Sequence, residues 1–497
     1  MQEDSLERMG AFDAVMWGVD QDPVLRSVIV ALMVLDREPD VEVLLDRLAR
    51  MTLAVPRLRQ RVVGNPVSPV PRWEPDPDFD MHNHLKLFHV PADGTFRPVL
   101  RIAEQMAEQD FERDRPLWEA SLVQGFDGPR CAMIIKLHHA ISDGVGGVAM
   151  AAALFDLTRR PASSEVPAPQ AHAPEARSRS GRVLDGVHAA ARSILDRGWA
   201  LAGGVVDVSN RVLVHPGESA AAAAALAQSA ARLLAPASDP LSPLMHGRSV
   251  TEQFEIVEVP LQPMKAAARS ARATLSDVYL AAVAGGMAAY HEAHNAPARQ
   301  IRVNMPVGVP SGRDDSPSIR WIPARFVLPI DTGDPLARTR RLSPILGQVR
   351  SEPALALSDS IYRLLSTLPR GVTTSISVGM MKGCDLAVTG FPGPSVPLFA
   401  AGAEVLAIVP FAPKAGAAVN VGMLTYHGTM FVGLNIDTRA VPDPAVLAAH
   451  VVGGFDQVLA MGDPAARARA GVRCCQPILP PEPPTGDPDA DPTGRRS

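Results

Sequence analysis

RCAMIIKLHHAISDG, residues 130–144, decides how the rest of this chain is read. Cys131, Ala132, Met133, Ile134 and Ile135 form an apolar run of strand length, preceded by turn residues from Gly125 to Gly128. The run predicts a buried strand that ends at two imidazoles, His138 and His139. Asp143-Gly144 reads as a tight turn, and a helix of small residues follows, with Val148, Met150, Ala151 and Leu154. Strand, polar loop and helix together make a common platform for chemistry in α/β proteins. A histidine there titrates near neutral pH and can be held in one tautomer, so it suits a general base. The competing structural reading is a turn whose polar groups satisfy one another.

Outward from this segment, Leu117–Gln124 and Arg130–Leu137 read as a hairpin across Gly125–Gly128. Ser27–Leu35 is a second continuous apolar strand. Asp40 is placed to cap a helix that gathers Val41, Leu44, Leu45, Leu48 and Ala49 on one face. Residues 1–157 therefore form a first α/β block. Residues 158–182 are rich in Pro, Ser and Ala and read as a flexible linker. Residues 183–250 hold two Ala-rich helical stretches, Val183–Val208 and Glu218–Leu233, and form a helical connecting region. The second α/β block spans 251–476, and 477–497 is a disordered tail. In that block Phe254–Val259, Asn304–Val307, Arg325–Ile330, Val419–Thr425 and Met430–Asn435 are predicted strands. Thr274-Leu275-Ser276-Asp277 is a capping box opening a helix, and Asp443-Pro444 starts another. A ligand is expected between the two blocks.

With 497 residues the chain is too long for one ordinary core. Its 48 basic and 53 acidic residues give a net charge of −5, which excludes a broad nucleic-acid footprint. Cys131, Cys384, Cys474 and Cys475 make neither a disulfide framework nor a zinc pattern, and a reducing cytoplasm fits them. The charged N-terminus lacks the apolar core of a signal peptide. The apolar stretch nearest to a membrane span, Val187–Val208, carries Arg192, Asp196, Arg197 and Asp207. His82, His84 and His89 lack supporting Cys or acidic clusters, so no metal is assigned.

HHAISDG, the PLW of Pro116-Leu117-Trp118, Pro56–Arg61, Asn304–Val307, Ala324-Arg325-Phe326 and Phe391-Pro392-Gly393-Pro394 resemble the bacterial wax ester synthase/diacylglycerol acyltransferase family over nearly the whole chain. That family lies within the chloramphenicol acetyltransferase-like superfamily, which includes condensation domains. The resemblance implies an α/β fold of two chloramphenicol acetyltransferase-like domains with a substrate tunnel at their interface. It implies acyl transfer from acyl-CoA to diacylglycerol or a long-chain alcohol, giving triacylglycerol or wax ester. Acyl-CoA is then a co-substrate and no cofactor is needed. By the motif match His139 is the base, with His138 packing or orienting, Asp143 folding the loop, and Gly144 permitting a φ that a side chain would forbid. Pro116, Leu117, Trp118, Asp277 and Thr389 are candidates for substrate-site or structural roles, Thr389 as an oxyanion donor. Trp118 fits a core role, and Asp277 fits a helix cap as well as a site. The alternating Arg57, Arg59 and Arg61 suit either CoA phosphates or a solvated strand face.

The chain departs from the family pattern at Ser276, at Ser318-Ile319 and at Gly390, positions that bear on rate and acceptor choice. Two other functions compete: condensation-type acylation of another hydroxyl or amine, and a catalytically weak lipid-binding homologue. Apolar products place the enzyme in the cytoplasm at a membrane or lipid-droplet surface, attached peripherally by its Ala-rich helices.

Overall fold

A computed structural model describes residues 8–64, 70–93, 95–141, 144–160, 239–310, 319–351, 381–462 and 473–474, with positions 372, 375, 378 and 379. The expected linker beyond residue 160, both Ala-rich stretches and the tail lie outside the described residues.

The first block runs α1 (Ala11–Val19), β1 (Val28–Leu35), α2 (Val41–Ala54), β2 (Gln60–Val63), β3 (Arg72–Pro75), β4 (Leu85–His89), α3 (Arg97–Glu108), β5 (Trp118–Gln124), β6 (Cys131–His138) and α4 (Gly144–Leu154). The predicted cap is present: the Asp40 carboxylate accepts the Glu42 and Val43 N–H groups at 3.0 and 3.1 Å. Leu44 and Leu48 carry the buried face of α2, as its spacing predicts. Gly125 and Gly128, with φ of 89° and 53°, turn β5 back into β6.

The second block runs β7 (Glu252–Pro260), α5 (Leu261–Ala271), α6 (Leu275–Ala293), β8 (Gln300–Pro310), β9 (Ile319–Pro329), α7 (Pro335–Arg350), β10 (Leu386–Phe391), β11 (Phe399–Ala400), β12 (Ala403–Phe411), β13 (Val419–Tyr426), β14 (Thr429–Asp437), α8 (Pro444–Gly462) and β15 (Arg473–Cys474). The capping box is complete, with the Thr274 hydroxyl on the Asp277 N–H and the Asp277 carboxylate on the Thr274 N–H. His427 and Gly428, both at positive φ, form the predicted hairpin between β13 and β14. Residues 239–250, the end of the expected helical connection, run without helix. There the Asp385 carboxylate takes the Leu241 and Ser242 N–H groups, which replaces helical pairing.

One sheet has the order β11-β12-β1-β6-β5-β4, and the other β15-β7-β14-β13-β10-β8-β9. β11 and β12 thus come from the second block but complete the first sheet. β12 pairs antiparallel with β1, Val34 opposite Ala407. Its alternating burial puts Ala403, Val405, Ala407, Val409 and Phe411 inside. The strand then passes over the second sheet at two glycines. A Cβ on Gly433 would lie 2.1 Å from the Pro410 carbonyl oxygen, and one on Gly422 would lie 3.1 Å from it. Phe411 stacks on Phe254 of β7, ring centroids 4.0 Å apart, a contact worth about 0.5–1.5 kcal/mol beyond burial.

A polar seam reinforces this junction. β15 pairs β7 only at Val257 and Glu258; the Glu252–Phe254 end of that edge meets α3, where Glu104 accepts the Phe254 N–H at 2.6 Å and Glu108 accepts the Glu252 N–H at 2.8 Å. Arg97 donates to the Phe254 carbonyl at 2.8 Å and pairs with Glu104. Side chains thereby cap an edge that would otherwise seek another strand.

Helix α8 is long and apolar enough, by length and composition, to cross a membrane. In this fold it packs as a core helix, burying Leu447, Ala448, Val451, Gly454, Phe455 and Val458. A Cβ on Gly454 would meet the Ala282 carbonyl at 2.1 Å, so glycine lets α8 and α6 touch backbone to backbone. Asp443 begins α8 but spends its carboxylate on the Tyr290 hydroxyl and His294 Nε2, at 2.5 and 2.8 Å.

Candidate active site

The β1–β6 register sets Val28 opposite His138, so His139 lies just past the last rung. Its N–H still donates to the Ser27 carbonyl at 2.8 Å. A short 3-10 turn, His139–Ile141, then leads towards α4. Ser142 and Asp143 lie outside the described residues; Gly144 is the first residue of α4.

The two histidines differ. His138 is buried. Its Nδ1 accepts the Ala140 N–H at 3.1 Å, and the edges of Trp17 and Phe111 meet its ring. Accepting at Nδ1 places the proton of the neutral ring on Nε2. Nε2 lies 3.6 Å from Asp20 Oδ2. His139 is half-buried, with Phe12 edge-on at 5.9 Å. Its Nδ1 is buried and, among the described residues, makes no hydrogen bond of ordinary geometry. Burial, followed by the neighbouring His138 ring, pushes the His139 pKa down to about 4; its own backbone carbonyl opposes the shift. The ring is therefore neutral at pH 7, the form that can take a proton.

Arg57 holds the segment from its other side. Its Nη1 donates to the Ala140 carbonyl at 3.2 Å and reaches Asp13 of α1 at 3.5 Å, and its guanidinium lies over Trp73. The phosphate-or-solvent alternatives for Arg57 are thus replaced by an internal role: it ties α1 to the loop that follows His139. Arg59 lies over the Phe79 ring, 4.8 Å from its centroid.

The PLW residues sit beneath this platform. Pro116 and Leu117 are buried, and the Leu117 carbonyl accepts the His138 N–H at 3.0 Å. Trp118 is fully buried, donates from Nε1 to the Leu58 carbonyl at 2.8 Å and stacks on His84 at 4.5 Å. That is the core role its strand position predicts. Lys136 on β6 is buried as well, within an otherwise apolar run. It donates to the Gln109 carbonyl at 2.8 Å and lies over Phe111.

Asp277 and Thr389 lie on second-sheet elements. Besides its capping bonds, Asp277 accepts the Ser343 hydroxyl at 3.1 Å and Arg350 at 3.2 Å. Its carboxylate is thus committed within the second block, beside the exposed Ser276. Thr389 is half-buried on β10, and its hydroxyl faces Gly422 on β13, where β12 passes over. At Gly390 a Cβ would meet the Met423 Cε at 3.0 Å, so a larger residue there requires Met423 to move. Ser318 lies outside the described residues, and Ile319 begins β9.

Sequence reading missed Asp20 and the Arg57–Ala140 tie. Asp20 left one faint signal, an acid at the C-terminal end of a helix where the dipole disfavours it. Among the described residues no three His, Cys, Asp or Glu side chains gather as a metal site.

Comparisons with known proteins follow the same lines. Residues 9–279 match the model of the wax ester synthase/diacylglycerol acyltransferase catalytic domain, and residues 324–458 match that of the C-terminal domain. A Mycobacterium tuberculosis protein, placed by its name among the diacylglycerol O-acyltransferases, is 32% identical over 93% of this chain and 94% of its own. The wax ester synthase/diacylglycerol acyltransferase of Marinobacter aquaeolei VT8 superposes with a TM-score of 0.60 at 18% identity, covering 91% of this chain and 98% of that one. The starter condensation domain of rhizomide synthetase, solved with C8-CoA and Leu-SNAC, superposes at 0.51 and 13% identity over 95% of this chain and 96% of that one. The fold is thus the two-domain one shared by these enzymes and condensation domains, as the sequence resemblance implies.

Proposed function

We propose, from the premise that the chain belongs to the wax ester synthase/diacylglycerol acyltransferase family and is an acyltransferase, that it moves an acyl group from acyl-CoA to diacylglycerol or a long-chain alcohol with His139 as general base. One observation carries the assignment of the base. His139 is a half-buried imidazole that stays neutral at pH 7 and whose backbone is pinned on both sides. As the acceptor hydroxyl attacks the thioester carbon, the ring takes its proton. The thiolate of CoA leaves as the C–S bond breaks and the new C–O bond forms, and the ring returns the proton to it. A positioned base of this kind contributes about 10²–10⁴-fold. Acyl-CoA is the co-substrate and no cofactor takes part.

His138, Asp143 and Gly144 shape the loop around the base. The acceptor and acyl-CoA meet in a tunnel between the sheets, where Thr389 donates to the developing oxyanion. Thr389→Val then lowers kcat about 100-fold with KM little changed; unchanged kcat removes Thr389 from this role. Diacylglycerol and wax alcohols are apolar, so the enzyme works peripherally at a membrane or lipid-droplet surface on the cytoplasmic side. Flotation with vesicles, released by mild detergent more readily than by salt, supports that attachment; release by salt alone contradicts it.

The deciding experiment gives the purified enzyme radiolabelled palmitoyl-CoA with dioleoylglycerol, and separately with hexadecanol. Labelled triacylglycerol or wax ester is expected. Label found only on amines or small soluble alcohols overturns this reading in favour of condensation-type chemistry, and binding without transfer favours the lipid-binding homologue.

A further inference from the structure

We propose that Asp20 is a positioning residue for His139, acting through His138 and Ser27; this deepens the reading of His139 as the base and rests on it. Helix α1 ends at Asp20, where a carboxylate opposes the helix dipole, so helix stability does not account for it. Its two oxygens act in different directions. Oδ1 accepts the Ser27 N–H at 2.8 Å, and the Ser27 carbonyl in turn accepts the His139 N–H at 2.8 Å. Oδ2 faces His138 Nε2 at 3.6 Å, and His138 Nδ1 accepts the Ala140 N–H at 3.1 Å. The amide groups on both sides of the His139 side chain thus lead, through one residue each, to the same carboxylate. The opposite end of α1 meets the same peptides, since Phe12 packs on the His139 ring and Asp13 pairs with Arg57, which holds the Ala140 carbonyl.

The charge of Asp20 has a direction. Burial pushes its carboxyl up, but the His138 ring, the Ser27 N–H and Arg113 outweigh this and hold it below the usual range. As an anion it favours the proton on His138 Nε2. The contact at 3.6 Å is longer than a direct hydrogen bond. A small polar cavity alongside, lined by Trp17, Asp20, Arg26, Asp110, Arg113 and His138, has room for about one bridging water. The other charges facing this pair are accounted for. Arg113 lies 3.9 Å from Asp20 Oδ2 and covers the Trp17 ring. Arg26 is paired with Asp110 at 2.9 Å and donates to the Glu108 carbonyl. The Nε2–H tautomer leaves Nδ1 free to accept the Ala140 N–H, so the Asp20 charge fixes the peptide that follows His139.

Asp20→Asn is nearly isosteric, keeps the Ser27 bond and removes the charge, so it separates positioning from folding. In purified Asp20→Asn, kcat falls about 10- to 100-fold, as for other residues that orient a reacting side chain, while KM for palmitoyl-CoA stays within about twofold. Adding Asp20→Asn to His138→Gln costs less than about twofold more, since both act along one path. Wild-type kcat, or losses that multiply in the double variant, overturns the proposal. If the parent enzyme itself transfers no acyl group, the base assignment has failed and the Asp20–His138 link is read separately. The His138 tautomer, followed by NMR of ¹⁵N-histidine protein, is then the Nε2–H form in the parent and a mixture in Asp20→Asn, and the same tautomer in both overturns the link.

Discussion

Two histidine clusters in this molecule look alike on paper and differ in one respect. His291 on α6 is fully buried beside Ser242 and Asp385, a serine, histidine and aspartate in one place. Every group there is used. His291 Nδ1 donates to the Met287 carbonyl at 2.7 Å, and Nε2 accepts the Ser242 hydroxyl at 2.7 Å. The Ser242 oxygen also receives the Leu244 and Met245 N–H groups at 3.1 and 3.0 Å, and Asp385 holds the serine backbone rather than the imidazole. His139 is the opposite case: its backbone is tied by Ser27, its ring is half-buried, and Nδ1 has no partner of ordinary geometry among the described residues. A saturated cluster holds the fold together; an unsaturated ring on a pinned backbone is available for chemistry.

The largest test of that contrast is His139→Ala. Turnover should fall about 10²–10⁴-fold with the thermal midpoint nearly unchanged, measured by product formation and calorimetry on the same preparation. A near-normal rate would break the comparison at its first member. The mirror experiment is His291→Ala, expected to cost about 2–4 kcal/mol in urea unfolding because Ser242 and Met287 lose a buried partner. Its turnover per folded molecule should remain close to that of the parent. Loss of turnover without loss of stability would transfer the chemistry to the wrong cluster.

Acid separates the two clusters more finely. Burial lowers the His291 pKa below its ordinary 6.5, opposed by the Met287 carbonyl and Asp385. The unfolded chain then binds the extra proton first, so this stabilisation is present above pH 6.5 and is lost as pH falls through the lowered folded value. His139, pushed down to about 4, stays neutral over most of that interval. Unfolding midpoints should therefore fall below pH 6.5 while the turnover of still-folded enzyme holds until near pH 4. A turnover limb near 6.5 would show that His139 is not held neutral. The smallest effect is reserved for Trp118→Phe, which removes the bond to the Leu58 carbonyl beneath the platform. It should cost about 1 kcal/mol and leave KM unchanged; a raised KM for acyl-CoA would move Trp118 from packing to substrate contact.

Much of this was legible in the chain. Apolar runs and turn residues mark β5 and β6, Thr274 and Asp277 declare their capping box, and His427-Gly428 declares its hairpin. Each of these signals is local, carried by residues within a few positions of one another. The destination of β12 was not legible, because alternation shows which face of a strand is buried but not which strand lies beside it. Arg57 was ambiguous for a related reason. Its partners, Asp13 and Ala140, lie far away in sequence and on opposite sides of it, and one of them is a backbone carbonyl with no residue signature. Asp20 showed only its misfit with the helix dipole, and its meaning depends on a register that puts His138 opposite Val28.

The route of β12 also fixes the order in which the protein can be made. On the ribosome β1 leaves the exit tunnel early, yet its neighbour on one side is Val405–Phe411, near the other end of the chain. At about 5–20 residues per second, translation leaves that hydrogen-bonding edge open on the order of tens of seconds. An unpaired apolar edge is a template for other chains, so nascent protein should need a chaperone to shield Val28–Leu35 until the late strand arrives. Chains stopped just before Ala403 should aggregate or be degraded where chains stopped after Asp437 are not; equal solubility of the two would show that the edge is covered in some other way.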